Sequence, residues 1–394
     1  MATMFKGLSN NDVTSVRTLL HEAIPITGSI LSGTYIDGDN TETNIKTYTH
    51  GMFQSVYDYP FLSSSANHLM DITAGYAAGS ALSASGVDAA WEQDKKINIY
   101  NQMAQVLVGH DKNGNIQSFD QDGDIPSGGD KMESVFFLNF ARLITKDEIK
   151  KGSFQIVLGV PSGSTPSGQL ATTGSLLKIY DASGSDGYKV NSPAGEYGLL
   201  YATGSADSGE HTDAADKDTD ALNDSGDNRV GPIGHIYYQA GVVVITSSIF
   251  LDDADNGFLA DDHGSTEFLI DSGSTSVSAG VHADYLWQSG SIDTIGHSMR
   301  RHIKSLEFQN TTELNSSIYF CRLNHNEYNY SSNPTYLNGS KIRTKTSALQ
   351  NPVAYLTTVG LYSADNELLA VAKVSEPLKK DPTNEITLRV RLDY

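Results

Sequence analysis

At 394 residues, with 39% hydrophobic and 19% charged side chains, the chain is long enough for more than one core and too apolar to be disordered throughout. Its 47 Asp and Glu outnumber 27 Lys and Arg, a formal net charge of -20. That balance excludes the clustered basic surface that nucleic-acid phosphates or an anionic membrane face require. The single cysteine, Cys321, excludes an internal disulfide, fits a reducing compartment or a fold that needs no cross-links, and lies in the apolar run 317–321, where a buried strand thiol is expected.

The longest apolar stretch, 240–246, is of strand length, too short for a membrane-crossing helix. The first residues lack the charged-then-apolar order of a signal peptide, so synthesis and folding in a cytoplasm are expected. Helical signals come first along the chain. Asp12 is placed to cap a helix over 13–23, stopped by Pro25, and Ser64 or Ser65 to open another reaching Ile72. The strongest runs from about 87 to 107, where Ala90, Trp91, Ile97, Tyr100, Met103 and Val106 recur near helical spacing.

The texture then turns to β. Segments 106–110 and 115–119 flank Asp111-Lys112-Asn113-Gly114, a hairpin turn whose Asn and Gly tolerate positive φ. Strands are predicted at 135–141, 154–160, 176–180, 198–201, 236–249 and 318–323, with a short polar helical turn at 146–151. The stretch 202–228 has almost no large apolar residue and cannot offset its ordering entropy by burial, which predicts an exposed acidic insertion. At the C-terminus, strands at 355–362 and 367–374 surround a Ser363–Asn366 turn, and 385–392 alternates apolar with polar side chains. Ile386, Leu388, Val390 and Leu392 should share one face; Thr387, Arg389 and Arg391 the other. No solenoid, propeller or heptad repeat is present.

The expected fold class is α+β and β-dominated: a helical N-terminal part followed by antiparallel β-sandwich-like domains. The expected domains are 1–107, helix-containing; 108–323, β-rich with the acidic insertion near 202–228; and 324–394, a β region ending in three antiparallel strands.

No active-site motif is present: neither a G-x-S-x-G elbow, nor a phosphate-binding G-x-x-x-x-G-K-[ST] loop, nor H-E-x-x-H, nor paired cysteines. Catalytic, cofactor-binding and metal residues are therefore all expected to be none, with no cofactor. His297 and His302, five apart among Arg300, Arg301 and Lys304, sit in surroundings that disfavour a cation. Asp120, Asp122 and Asp124 resemble the opening of a calcium loop, but Ile125 stands where position six needs Gly and Lys131 where position twelve needs Glu, so a solvated turn is expected. A second acidic cluster, Asp252, Asp253 and Asp255 with Asp261 and Asp262, reads as a surface loop. Dispersed carboxylates of a glycan-degrading enzyme leave no mark in sequence, and the 20 tyrosines could serve either a sugar-binding face or an interface.

The C-terminal words carry a resemblance. Leu356-Thr357-Thr358-Val359-Gly360-Leu361-Tyr362, the Asp365-Asn366 turn and Leu368-Leu369-Ala370-Val371-Ala372 resemble tail-collar and tail-fibre attachment proteins of contractile-tailed bacteriophages. The words at 326–334 and 50–60 are similar to virion structural proteins of large marine myoviruses. The collar-like match covers about the last tenth of the chain. It implies a non-enzymatic structural subunit of tail, baseplate or fibre attachment. Its implied partners are other virion proteins and copies of itself in a homo-oligomer, with no nucleic acid and no membrane, and its place is the virion, assembled in the host cytoplasm. The alternatives are a carbohydrate-binding, adhesin-like tail module and a glycan-degrading enzyme.

Overall fold

A computed structural model describes residues 5–31, 34–37, 41–80, 83, 90–125, 131–159, 176–182, 184, 187–204, 232–247, 287, 290–331, 333–343 and 345–394. In chain order its strands are β1 (Val13–Thr27), β2 (Ile45–Lys46), β3 (Gln54–Tyr57), β4 (His68–Tyr76), β5 (Ser134–Phe140), β6 (Glu148–Ile149), β7 (Gln155–Gly159), β8 (Leu176–Asp181) and β9 (Lys189–Ser192). There follow β10 (Gly195–Gly204), β11 (Pro232–Tyr237), β12 (Val242–Thr246), β13 (Ile303–Leu323), β14 (Leu337–Asn338), β15 (Lys341–Ile342), β16 (Ala354–Tyr362), β17 (Leu368–Lys380) and β18 (Ile386–Asp393). Helices are α1 (Gly28–Leu31), α2 (Ala90–Leu107), α3 (Arg142–Thr145) and α4 (Ile292–His302). None is long and apolar enough to cross a membrane.

The chain divides into two compact units, one of Met1–Leu20 with Glu313–Tyr394, the other of His21–Thr312. Strands β1 and β13 each begin in one and end in the other.

The larger unit is built on an antiparallel sheet ordered β13-β7-β8-β10-β11-β12-β5-β4-β3-β2. Its central strands are apolar at consecutive positions because both faces are covered. In β5, Phe136, Leu138 and Phe140 enter one apolar cluster and Val135 and Phe137 the other; in β12, Val243 and Ile245 oppose Val242 and Val244 in the same way. Helix α2 supplies Ile99, Tyr100, Ala104 and Leu107 to the second cluster, while Trp287 and the α4 residues Ile295 and Met299 join the first. The α4 start is set by Ser291, whose Oγ accepts the Thr294 backbone N–H at 3.2 Å.

The β-rich, antiparallel class holds, but the helical N-terminal part does not. Residues 13–23 belong to β1 and 68–72 to β4; only α2 matches a predicted helix. Val13, Thr14, Val16 and Thr18 are β-branched and stiff at χ1, and β1 neighbours β13 in the sheet, so pairing overrides the local cap signal at Asp12. The polar helical turn expected at 146–151 lies earlier, as α3, and Glu148–Ile149 is strand. Residues 236–249 are not one strand: β11 and β12 turn back through Tyr238 to Gly241, the glycine at φ +69°. The turn at 111–114 forms, with Gly114 at φ +84°, but it is closed by a single His110–Ile116 bridge after α2 rather than by two strands. Of the predicted acidic insertion, 205–228 lie outside the described residues.

In the smaller unit β16 and β17 form a hairpin around Asn366, at φ +64°. The third predicted C-terminal strand, β18, alternates as expected but pairs with β13, Leu388 opposite Cys321, instead of extending the hairpin. Leu388 is only half-buried, so Leu388→Ala should cost about 1 kcal/mol, less than a full core deletion. Arg389→Ala, on the exposed face, should stay within about 0.5 kcal/mol. Urea melts of the two variants separate these values.

Candidate functional site

Aspartates at positions i, i+2 and i+4 converge only if the backbone curls around them, and 120–125 does. Asp120 Oδ2 accepts the backbone N–H groups of Asp124 and Ile125, each at 3.0 Å, and Asp122 Oδ1 accepts that of Asp124 at 3.0 Å. One carboxylate oxygen from each of Asp120, Asp122 and Asp124 lies within 4.8 Å of the others, the one grouping of metal-ligand type among the described residues. Gly123 at φ +73° makes the bend, and Ile125 takes the left-handed conformation, φ +53°, that a calcium loop gives to glycine.

The twelfth position decides what the loop holds. Lys131 Nζ donates to Asp120 Oδ1 at 2.5 Å and to the Ile125 carbonyl at 3.1 Å, so a tethered ammonium stands beside the carboxylate a calcium ion would need. Burial raises the Asp120 carboxyl to about 6, the hydrogen bond with Asp122 adding to this and Lys131 opposing it; the same bond lowers Asp122. Behind the loop, Tyr197 Oη lies 2.9 Å from the Gly123 carbonyl and donates to Asn191 Oδ1 at 2.8 Å. His235 is 1% exposed against the Tyr197 ring, 5.1 Å between centroids, and burial pulls its imidazole down to about 4, leaving it neutral at pH 7. Sequence spacing revealed the three aspartates; nothing in it brings His235 or Tyr197 to them.

One ammonium, that of Lys131, thus stands against three carboxylates and pairs with Asp120. A chelator should move the melting temperature by less than about a degree, since a bound ion would otherwise contribute through mass action. Lys131→Met should cost about 2 kcal/mol, because the buried Asp120 carboxylate loses its cation. Thermal melts with and without chelator check both.

The other candidate residues go elsewhere. Arg300, 1% exposed, donates to Glu42 Oε2 at 2.6 Å and to Gln54 Oε1 at 3.2 Å, and its Nη2 lies 2.9 Å from His297 Nδ1. His302 is buried in the same helix, and no metal grouping is formed by the pair among the described residues. Cys321 is half-buried rather than fully buried, and burial raises its thiol above the ordinary value, the opposite of an activated nucleophile. The second acidic cluster lies outside the described residues. In the tyrosine-rich word at 326–330, Asn329 Oδ1 and the His325 carbonyl accept the fully buried Lys380 Nζ at 2.7 and 3.2 Å, pinning that loop to the end of β17.

The smaller unit presents a surface of a different kind. Among its described residues only Ser316, Ser317, Ile318, Ile342, Ala354 and Lys380 are buried, and none belongs to either large apolar cluster. Leu368, Leu369 and Val371 are 52%, 68% and 53% exposed, around the hairpin that carries the collar-like words. No protein family, curated protein or solved structure matches the chain.

Proposed function

We propose that the chain is a non-enzymatic structural subunit of a bacteriophage virion, of the tail, baseplate or fibre-attachment type. The observation that carries this reading is the core-poor smaller unit. Long strands whose apolar side chains stay half-exposed have not recovered the entropy of their ordering from burial, and an assembly is where such surface is covered. The words that resemble collar and fibre-attachment proteins fall on β16, its turn and β17, so the resemblance and the uncovered surface coincide.

Mass spectrometry of purified phage particles tests this. Peptides of the chain should be present at fixed stoichiometry to the other virion proteins; their absence from intact particles would sink the reading. A glycan array run alongside should show no binding, and chelator-sensitive binding there would favour the adhesin-like alternative.

A further inference from the structure

We propose that the smaller unit carries an internal cross-linking site, at which the side-chain amine of Lys380 condenses with the side-chain amide of Asn329. The product is an isopeptide bond, and ammonia is released. This does not rest on the virion reading.

Lys380 is the one charged side chain among the six buried residues of that unit, and it is fully buried. It closes β17, paired with the buried Ala354 of β16. Its Nζ donates to Asn329 Oδ1 at 2.7 Å, to the Asp381 carbonyl at 3.0 Å and to the His325 carbonyl at 3.2 Å. All three acceptors are neutral. An ammonium buried without an anion is costly, whereas the amide that would replace it carries no charge. Contact alone does not make such a site. In the larger unit Lys150 Nζ donates to Gln309 Oε1 at 2.9 Å, but both side chains are partly exposed and water solvates the charge.

The two reacting groups are close and held. A nitrogen 2.7 Å from a carbonyl oxygen stands about 3.5 Å from the carbonyl carbon, the distance of a near-attack arrangement. Asn329 Nδ2 donates to the His325 carbonyl at 2.8 Å, so the oxygen that accepts the attacking nitrogen also accepts the leaving one. Asn329 is half-buried, which leaves the departing ammonia a path to solvent. One residue earlier, Tyr328 has φ +54°, a conformation that a bulky L side chain disfavours. Strain of this kind persists only where the surrounding contacts impose it, and it gathers at functional sites.

The step balances without a further reactant. The Lys380 ammonium sheds one proton to solvent, and the Nζ lone pair attacks Asn329 Cγ. The Nζ–Cγ bond forms, a second proton passes from Nζ to Nδ2, and the Cγ–Nδ2 bond breaks. Ammonia leaves and takes up a proton from solvent. The new bond joins positions 51 apart, tying the loop after β13 to the end of β17. These belong to separate sheets, since β18 pairs with β13 while β16 and β17 pair only with each other among the described residues. A unit with so few buried apolar residues gains most from a covalent tie, and a chain with one cysteine cannot make an internal disulfide.

Intact-mass spectrometry of the purified full chain, fresh and after prolonged incubation, tests this. The expected result is the loss of one ammonia, about 17 Da. Trypsin should then release a branched peptide joining the residues around Asn329 to those around Lys380, with the Lys380–Asp381 bond uncut. Asn329→Ala should show neither signal, while leaving the lysine two of its three acceptors; a circular-dichroism spectrum matching wild type checks that it folds. Ring closure at Asn113-Gly114 or Asn338-Gly339 also releases ammonia, so the branched peptide in the wild-type chain decides. Hydroxylamine, which opens such rings, should leave that peptide intact. An unmodified chain after incubation means a hydrogen bond only and overturns the proposal. Ammonia loss that maps elsewhere, Lys150 with Gln309 included, overturns it too, as does a loss that folded Asn329→Ala retains. The presence or absence of the chain in particles bears on the virion reading alone.

Discussion

Gly75→Ala should destabilise the larger unit by about 3 kcal/mol, the upper end of what overpacking costs. Gly75 lies on β4 where α2 crosses it. A Cβ there would stand 2.6 Å from the Lys96 carbonyl oxygen and 2.8 Å from the Tyr100 backbone nitrogen, so the obstacle is helix backbone and cannot swing aside like a side-chain tip. To make room, α2 must lift off the sheet. Lifting it disturbs Tyr100, which is 2% exposed and donates through its hydroxyl to the Met132 carbonyl at 2.9 Å while accepting the Phe119 N–H at 3.2 Å. It also disturbs Lys96, whose ammonium is fully buried against the Trp287 carbonyl at 2.7 Å and drawn down to about 8 by that burial. Gly79→Ala is the control: nothing lies within 4 Å of its Cβ, and the change should stay within about 0.5 kcal/mol. Guanidinium titrations with unchanged slopes would report both values. Equal midpoints for the two variants would mean that α2 does not rest on β4 at Gly75.

That close approach shows what a single sequence yields and what it withholds. Helix α2 was legible because eighteen residues of repeating apolar spacing outweigh local noise; the glycine it rests on was not, since a glycine inside a strand says only that some backbone comes near. Strands β5 and β7 were legible as apolar runs and β18 as an alternation, whereas the β11–β12 hairpin was read as one strand. Their partners were not. Leu388 meets Cys321 across a separation of 67 positions, and no local pattern encodes such a pairing. At 13–23 a good N-cap and a good strand composition compete, and the long-range pairing of β1 decides the outcome. The acidic loop was readable down to its two departures from a calcium pattern. One of these, Lys131, turns out to be the loop's own counter-charge; the other, Ile125, adopts the backbone conformation its side chain disfavours. The division into units was hidden for a related reason: residues 1–20 belong with 313–394, a grouping that exists only in three dimensions.

Replacing His235 should flatten the acid limb of the stability curve. The imidazole is on β11, paired with Val244 on one side and Leu199 on the other. It is enclosed by Phe119, Tyr197 and Tyr237, with Tyr237 Oη 3.4 Å from its Nδ1. Burial is the largest influence and lowers its pKa to about 4; backbone hydrogen bonding with Asp120 and Gln121 and the charge of Asp122 oppose it, and Lys189 reinforces it. An unfolded histidine takes its proton near 6.5, the folded one only near 4. Between those values the unfolded chain binds more protons, so stability falls as pH drops through this window and rises as pH climbs back. The full difference is about 3 kcal/mol at 1.36 kcal/mol per pH unit. Asp120 titrates nearby with the opposite sign: raised to about 6, it is protonated first in the folded state, which favours folding on acidification. A comparison of pH profiles for wild type and His235→Gln removes whatever the two proteins share. The variant starts less stable at pH 7, having lost ring packing, but between pH 6.5 and 4 it should gain on wild type by about 3 kcal/mol. Urea midpoints at half-unit pH steps give that difference directly, and an NMR titration of the imidazole should place its midpoint near 4. Parallel profiles, or an imidazole titrating above 6, would show that water reaches His235 and that the layer between the acidic turn and the sheet is not closed.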